Sequence, residues 1–210
     1  MKNTHAINRS LRVVALLALS LCLTLGMFPS GIFANIEGAG GVKVYEGSSL
    51  IYNGSDDGDA ATPSDIAATA NGNSLTITVP PGNYAGLTVV GGGAGDSVVL
   101  QMNGDATFAG DAANAPALPP GTGAGVTGIY ISGDIGDSPA LTIQGSGTLT
   151  AVGAPGTGSG GIMSNGELTI NSGVNATGAD GVDGGSGIAA DNLIVGTSGW
   201  PTVTARGGAA

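Results

Sequence analysis

Residues Ala140 to Gly178 read ALTIQGSGTLTAVGAPGTGSGGIMSNGELTINSGVNATG. Two short apolar runs, Leu141-Thr142-Ile143 and Thr148 to Val152, are joined by a Gly turn and followed by a Gly/Ser loop. The unit then begins again with Gly161-Ile162-Met163, Leu168-Thr169-Ile170 and Val174-Asn175-Ala176-Thr177. A third, blurred copy runs through Gly187-Ile188-Ala189, Leu193-Ile194-Val195 and Thr202 to Ala205. Leu141 and Leu168 are 27 residues apart, Leu168 and Leu193 25, and Ile162 and Ile188 26. A period in that range marks a repeat array, in which each copy is one turn that cannot bury its apolar face alone.

The runs alternate Leu, Ile and Val with Thr, as a strand with one buried face requires. Helices are disfavoured by the Gly density, at about 1 kcal/mol per Gly against Ala. Three short strands per turn, joined by Gly corners that accept positive φ, predict an all-β chain wound as a parallel β-helix, or solenoid. Backbone hydrogen bonds would run from coil to coil around an interior of stacked Leu, Ile and Val. Gly also lets successive corners approach closely.

The segments LTIQGSGTLTAVG, GGIMSNGELTINSG and VNATGADGVDGGSGI resemble the rungs of bacterial secreted parallel β-helix repeat proteins of the carbohydrate-binding type, pectate-lyase-like but non-catalytic. The resemblance covers about Pro139 to Arg206. It implies a right-handed β-helix, export to the cell surface, polysaccharide binding and, in some members, Ca²⁺ coordination.

Residues 1–34 read as a signal peptide, with Lys2, Arg9 and Arg12 before an uncharged apolar run from Val13 to Met27 and cleavage expected after Ala34. That run is short of the roughly 20 residues a bilayer span needs, so no transmembrane segment is expected in the mature chain. Cleavage removes three of the five basic residues, Cys22 and His5, and leaves Lys43 and Arg206 against fifteen acidic residues, a formal charge of −13. Such a chain is exported without disulfides and is repelled by nucleic acid. Residues 35–73 are expected to cap the stack: Val42 to Tyr45 and Leu50 to Tyr52 suggest strands, and Thr62-Pro63 suggests the start of a short capping helix through Ala68. Coils are expected over 74–210, with a turn at Pro80 to Asn83 and a loop from Asn114 to Gly125 bulging out of one coil. The last strand-like run, Thr202 to Ala205, is followed by no polar cap. The stack is therefore expected to continue in a longer repeat protein or to be covered by a partner copy.

Without a mature His or Cys there is no Ser-His-Asp or Cys-His arrangement and no ordinary zinc site, so the chain is expected not to be an enzyme. A lyase of this architecture needs a strong base beside a Ca²⁺ cluster, and Lys43 and Arg206 lie near opposite ends of the sequence. Paired carboxylates on stacked coils would suit a hydrolase, and this is the third reading. Asp180 and Asp183, three apart in a Gly-rich corner, are the candidate Ca²⁺ ligands, against the plainer reading that Asp favours turns. Asp56, Asp57, Asp59, Asp134 and Asp137 belong to similar turns. For sugar stacking the candidates are Trp200, in a turn, and Tyr130, which points outward if Ile129 and Ile131 point in. The sequence thus predicts a secreted or cell-surface binder of polysaccharide. The alternative is a structural adhesin or surface-layer repeat that binds protein or another copy of itself.

Overall fold

The computed structural model describes residues 41–54, 59–93, 95–116, 126–132, 138–181, 183–196 and 201–210. The expected signal peptide and its cleavage site, Asp56, Asp57, Asp134, Asp137, Trp200 and most of the 114–125 loop lie outside the described residues. Among those described the regular structure is all-β, with one turn of 3₁₀ helix at Ala112–Asn114.

Three strands open the described chain: β1 (Lys43–Glu46), β2 (Ser49–Asn53) and β3 (Ala67–Asn71). Strands then follow in sets. The first is β4 (Ser74–Val79), β5 (Gly82–Ala85) and β6 (Leu87–Val90); the second is β7 (Ser97–Asn103), β8 (Ala106–Ala109) and β9 (Ile129–Ser132). The remainder are β10 (Ala140–Ser146), β11 (Thr148–Val152), β12 (Ile162–Ile170), β13 (Gly173–Thr177), β14 (Ile188–Val195) and β15 (Val203–Arg206).

Each strand pairs in parallel with its counterpart one set later. β4, β7, β10 and the second halves of β12 and β14 form one column, with Leu75, Val98, Leu141, Leu168 and Leu193 in register. β5, β8, β11, β13 and β15 form a separate five-stranded sheet. β6, β9 and the first halves of β12 and β14 form a third column, with Leu87, Ile129, Ile162 and Ile188 in register. Because β12 and β14 each serve two columns, the first and third belong to one ten-stranded sheet. The 27-, 25- and 26-residue spacings read from the sequence are therefore cross-strand register. The inward residues of all three columns form one continuous core, with Leu75, Ile77, Leu100, Phe108, Ile143, Leu149, Ile170 and Val174 all without exposure.

Glycine at the corners is required by contact as well as by φ. Gly145 has φ +109°, and a Cβ there would fall inside the Met102 carbonyl oxygen of the neighbouring set. Gly128 lies so close to the Gly161 carbonyl and the Val152 amide that any side chain would displace backbone.

The beginning of the stack departs from expectation in two places. No helix starts at Thr62-Pro63: residues 59–66 are irregular, and β3 lies antiparallel on β4 around the turn at Gly72. The free hydrogen-bonding edge of β4 takes a strand, and that tertiary demand overrides the helical preference of Ala67 and Ala68. The Ser64 hydroxyl accepts from the Ile66 amide at 3.1 Å, which seats Ile66 in the core. Likewise the third column starts with β1 antiparallel on β6 and β2 antiparallel on β1. The second departure is Gly82 to Ala85, which is strand β5; the turn narrows to Pro80-Pro81.

The opposite end has no such cover among the described residues. Leu193, Ile194 and Val195 of β14 are 46%, 42% and 45% exposed, and they are the large exposed apolar side chains of the described chain.

Candidate functional site

In the five-stranded sheet, alternation turns Tyr84, Phe108, Ala151 and Ala176 inward at one register level. The residues before them, Asn83, Thr107, Thr150, Asn175 and Thr204, occupy the neighbouring level on the outer face. Strands repeat about every 4.8 Å, so Asn83 to Asn175 spans roughly 14 Å of ordered amide and hydroxyl groups. None of the Asn83, Thr107, Thr150 and Asn175 side chains is hydrogen-bonded to another described residue. Their donors and acceptors are left for solvent or a ligand.

These side chains line a shallow groove of about 470 Å³, together with Gly82, Asp105, Ala106 and Thr148. Asp105 precedes β8 and accepts the Thr148 amide on Oδ1 at 2.8 Å, which ties one set to the next. A second groove of about 430 Å³ is lined by Glu46, Pro63, Ser64, Asp65, Asn83 and Tyr84. Asn83 lines both grooves, which together make up the trough. In the second groove the Ser64 hydroxyl donates to Glu46 Oε2 at 2.8 Å. Tyr84 donates to the Pro80 carbonyl at 2.9 Å, and its ring stacks on Phe108 at 5.3 Å between centroids. Burial, and then the negative charges of Asp65 and Glu46, raise the Tyr84 phenol above its ordinary 10.0. Three carboxylates and no basic side chain line the trough.

Tyr130, Asp180 and Asp183, singled out from sequence, line neither groove. Tyr130 sits between Ile129 and Ile131 at the level of Thr88 and Met163, but it is only 5% exposed, and Thr88 is fully buried. Both faces of β9 are thus covered, and Tyr130 offers no platform for a sugar ring. Trp200 lies outside the described residues. Asp180 and Asp183 are both exposed, but Asp180 Oδ1 accepts the Ala209 amide at 2.7 Å, fastening the last described corner to the one before it. Asp59 pairs with Lys43 at 2.8 Å. Among the described residues no three His, Cys, Asp or Glu side chains come together in a way that would hold a metal ion. No described helix is long and apolar enough to cross a membrane.

Asn83, Thr107, Thr150 and Asn175 were not singled out by sequence reasoning. Thr alternation was visible in β11, but grouping these four requires the register of strands far apart in sequence. No protein-family model matches the chain, and comparisons with curated proteins and with solved structures give no significant match.

Proposed function

We propose that the chain is an exported right-handed parallel β-helix that binds a polysaccharide along the outer face of its five-stranded sheet. The observation that carries this reading is the registered column Asn83, Thr107, Thr150, Asn175, whose polar groups are unpaired within the described chain. A glycan presents hydroxyls at regular intervals along a stiff chain, and a fixed lattice of amides and hydroxyls meets them with little loss of side-chain freedom. The parallel pairing of successive three-strand sets supports the winding, and the acidic, Cys-free chain after residue 34 suits an extracellular protein. Asp180 has a structural use without Ca²⁺ through the Ala209 amide, so the reading does not depend on a metal there. The test is retention on immobilised glycans. The double variant Thr107→Ala/Thr150→Ala is expected to lose at least tenfold in affinity with an unchanged circular dichroism spectrum. Undiminished retention refutes this face as the site.

A second reading, a surface repeat that binds another copy of itself, is favoured by the exposed Leu193-Ile194-Val195 edge. It predicts self-association weakened by Ile194→Lys; a monomer at all concentrations by sedimentation overturns it.

A further inference from the structure

We propose that the trough selects linear glycans free of acidic groups and rejects polyuronates and other polyanions. This deepens the polysaccharide reading and rests on it. Asn83 stands where the two grooves meet, with Asp105 in one and Glu46 and Asp65 in the other. A chain lying on Asn83, Thr107 and Thr150 therefore passes Asp105, and at Asn83 it borders the groove that holds Glu46 and Asp65. Strand spacing of about 4.8 Å is well below the screening length of about 8 Å at physiological ionic strength. Asn83, Thr107 and Thr150, on β8 or one strand from it, are thus within that length of the strand that Asp105 precedes.

No basic side chain among the described residues lines the trough. Lys43 is paired with Asp59, and Arg206 lies on β15, at the far end of the column. A ligand carboxylate would enter with no cation to meet it, and like charges brought together without compensation act as a device of specificity. Hydroxyl and acetamido groups meet no such barrier, because carboxylates accept hydrogen bonds from them. Asp105 retains one oxygen for this: Oδ1 takes the Thr148 amide, and Oδ2 has no partner among the described residues. Among the described residues Glu46 accepts from Ser64 on Oε2 alone. Burial first, and then the charges of Asp65 and Glu46, raise the Tyr84 phenol at that end of the trough.

The experiment measures binding of the intact chain to xylan and N-acetylglucosamine oligomers (uncharged) and to galacturonate oligomers (anionic). Chelator is present throughout, so that no divalent cation bridges acid to acid. The uncharged oligomers are expected to bind at least tenfold tighter. In Glu46→Gln/Asp65→Asn/Asp105→Asn the ratio of galacturonate to uncharged binding is expected to rise at least tenfold. A control carrying Asp111→Asn, Glu167→Gln and Asp191→Asn, which has the same change in net charge, should leave that ratio as it was. Equal binding of galacturonate by the wild type, or an equal gain in the control, overturns the proposal while leaving glycan binding in place. No binding to any oligomer by either wild type or variant overturns the glycan reading itself.

Discussion

Truncating one leucine at two levels of the same column tests whether the interior is a stack. Leu168 is fully buried, with Leu141 in register on one side and Leu193 on the other. Leu→Ala removes three carbons, about 2.4 kcal/mol at ~0.8 per buried carbon. A cavity held open by the neighbouring backbone adds to that, since core Leu→Ala changes cost about 2–5 kcal/mol. Leu168→Ala is therefore expected to cost about 3 kcal/mol or more. Leu193 carries the same side chain one level later but is 46% exposed, so about half of the transfer term applies and no closed cavity forms. Its truncation should cost about 1 kcal/mol. The assay is equilibrium unfolding in urea, comparing midpoints for variants whose slopes agree. Equal, large losses at both levels would show that β14 is covered in solution, and a concentration-dependent midpoint for the wild type would identify a second copy as the cover. Equal, small losses would refute the stacked interior.

Gly145→Ala combines a left-handed φ of +109° with a Cβ driven into the Met102 carbonyl; it should cost more than about 2 kcal/mol by urea unfolding, whereas Gly156→Ala, at φ +75° with open space around it, should cost less. Asp105→Ala removes the acceptor of the Thr148 amide and should cost about 1 kcal/mol, with Asp105→Asn recovering most of it because an amide oxygen can still accept. The Tyr84 phenol is raised above 10.0 by burial and by Asp65 and Glu46, so its contribution to stability is fully present below pH 10 and is lost as pH rises through its folded value. Phenolate absorbance should show Tyr84 and Tyr52, the latter raised by burial, titrating later than a free phenol; Glu46→Gln/Asp65→Asn should lower the midpoint that Tyr84→Phe removes, and an unmoved midpoint refutes the charge contribution.

Legibility followed the range of the interactions concerned. The Leu141, Leu168, Leu193 and Ile162, Ile188 equivalences were readable because each repeats one short local pattern, and the structure turns those spacings into parallel register. The start of the stack was not readable in the same way. Ala67-Ala68-Thr69-Ala70-Asn71 has no strand alternation of large apolar residues, and it is a strand only because β4 presents an edge to it. Gly82-Asn83 reads as turn chemistry after Pro80-Pro81, yet β8 draws it into the five-stranded sheet. Tyr130 obeys the alternation that was read, but alternation reports direction and not cover, and the residue is buried. The site was the least legible part, because Asn83, Thr107, Thr150 and Asn175 are ordinary polar residues one by one.

Among the described residues, the five-stranded sheet is the column whose outer level is polar throughout, from Asn83 to Asn175. In the first column the outward level Thr76, Val99, Thr142, Thr169, Ile194 is interrupted by apolar side chains. The next outward level there holds Gln101 and Gln144, which bond each other at 3.1 Å, so part of that column's hydrogen-bonding capacity is already satisfied within the chain. In the third column the corresponding level holds buried Thr88 and Tyr130 and half-buried Met163, and Thr127 donates to the Met163 sulfur at 3.5 Å. A long polymer needs a surface that repeats, is exposed and is not already paired with itself. The outer level running from Asn83 to Asn175 repeats, has no side-chain partners among the described residues, and is exposed at Asn83 and Asn175 and half-exposed at Thr107 and Thr150; the Glu46, Asp65 and Asp105 carboxylates line the grooves that share Asn83.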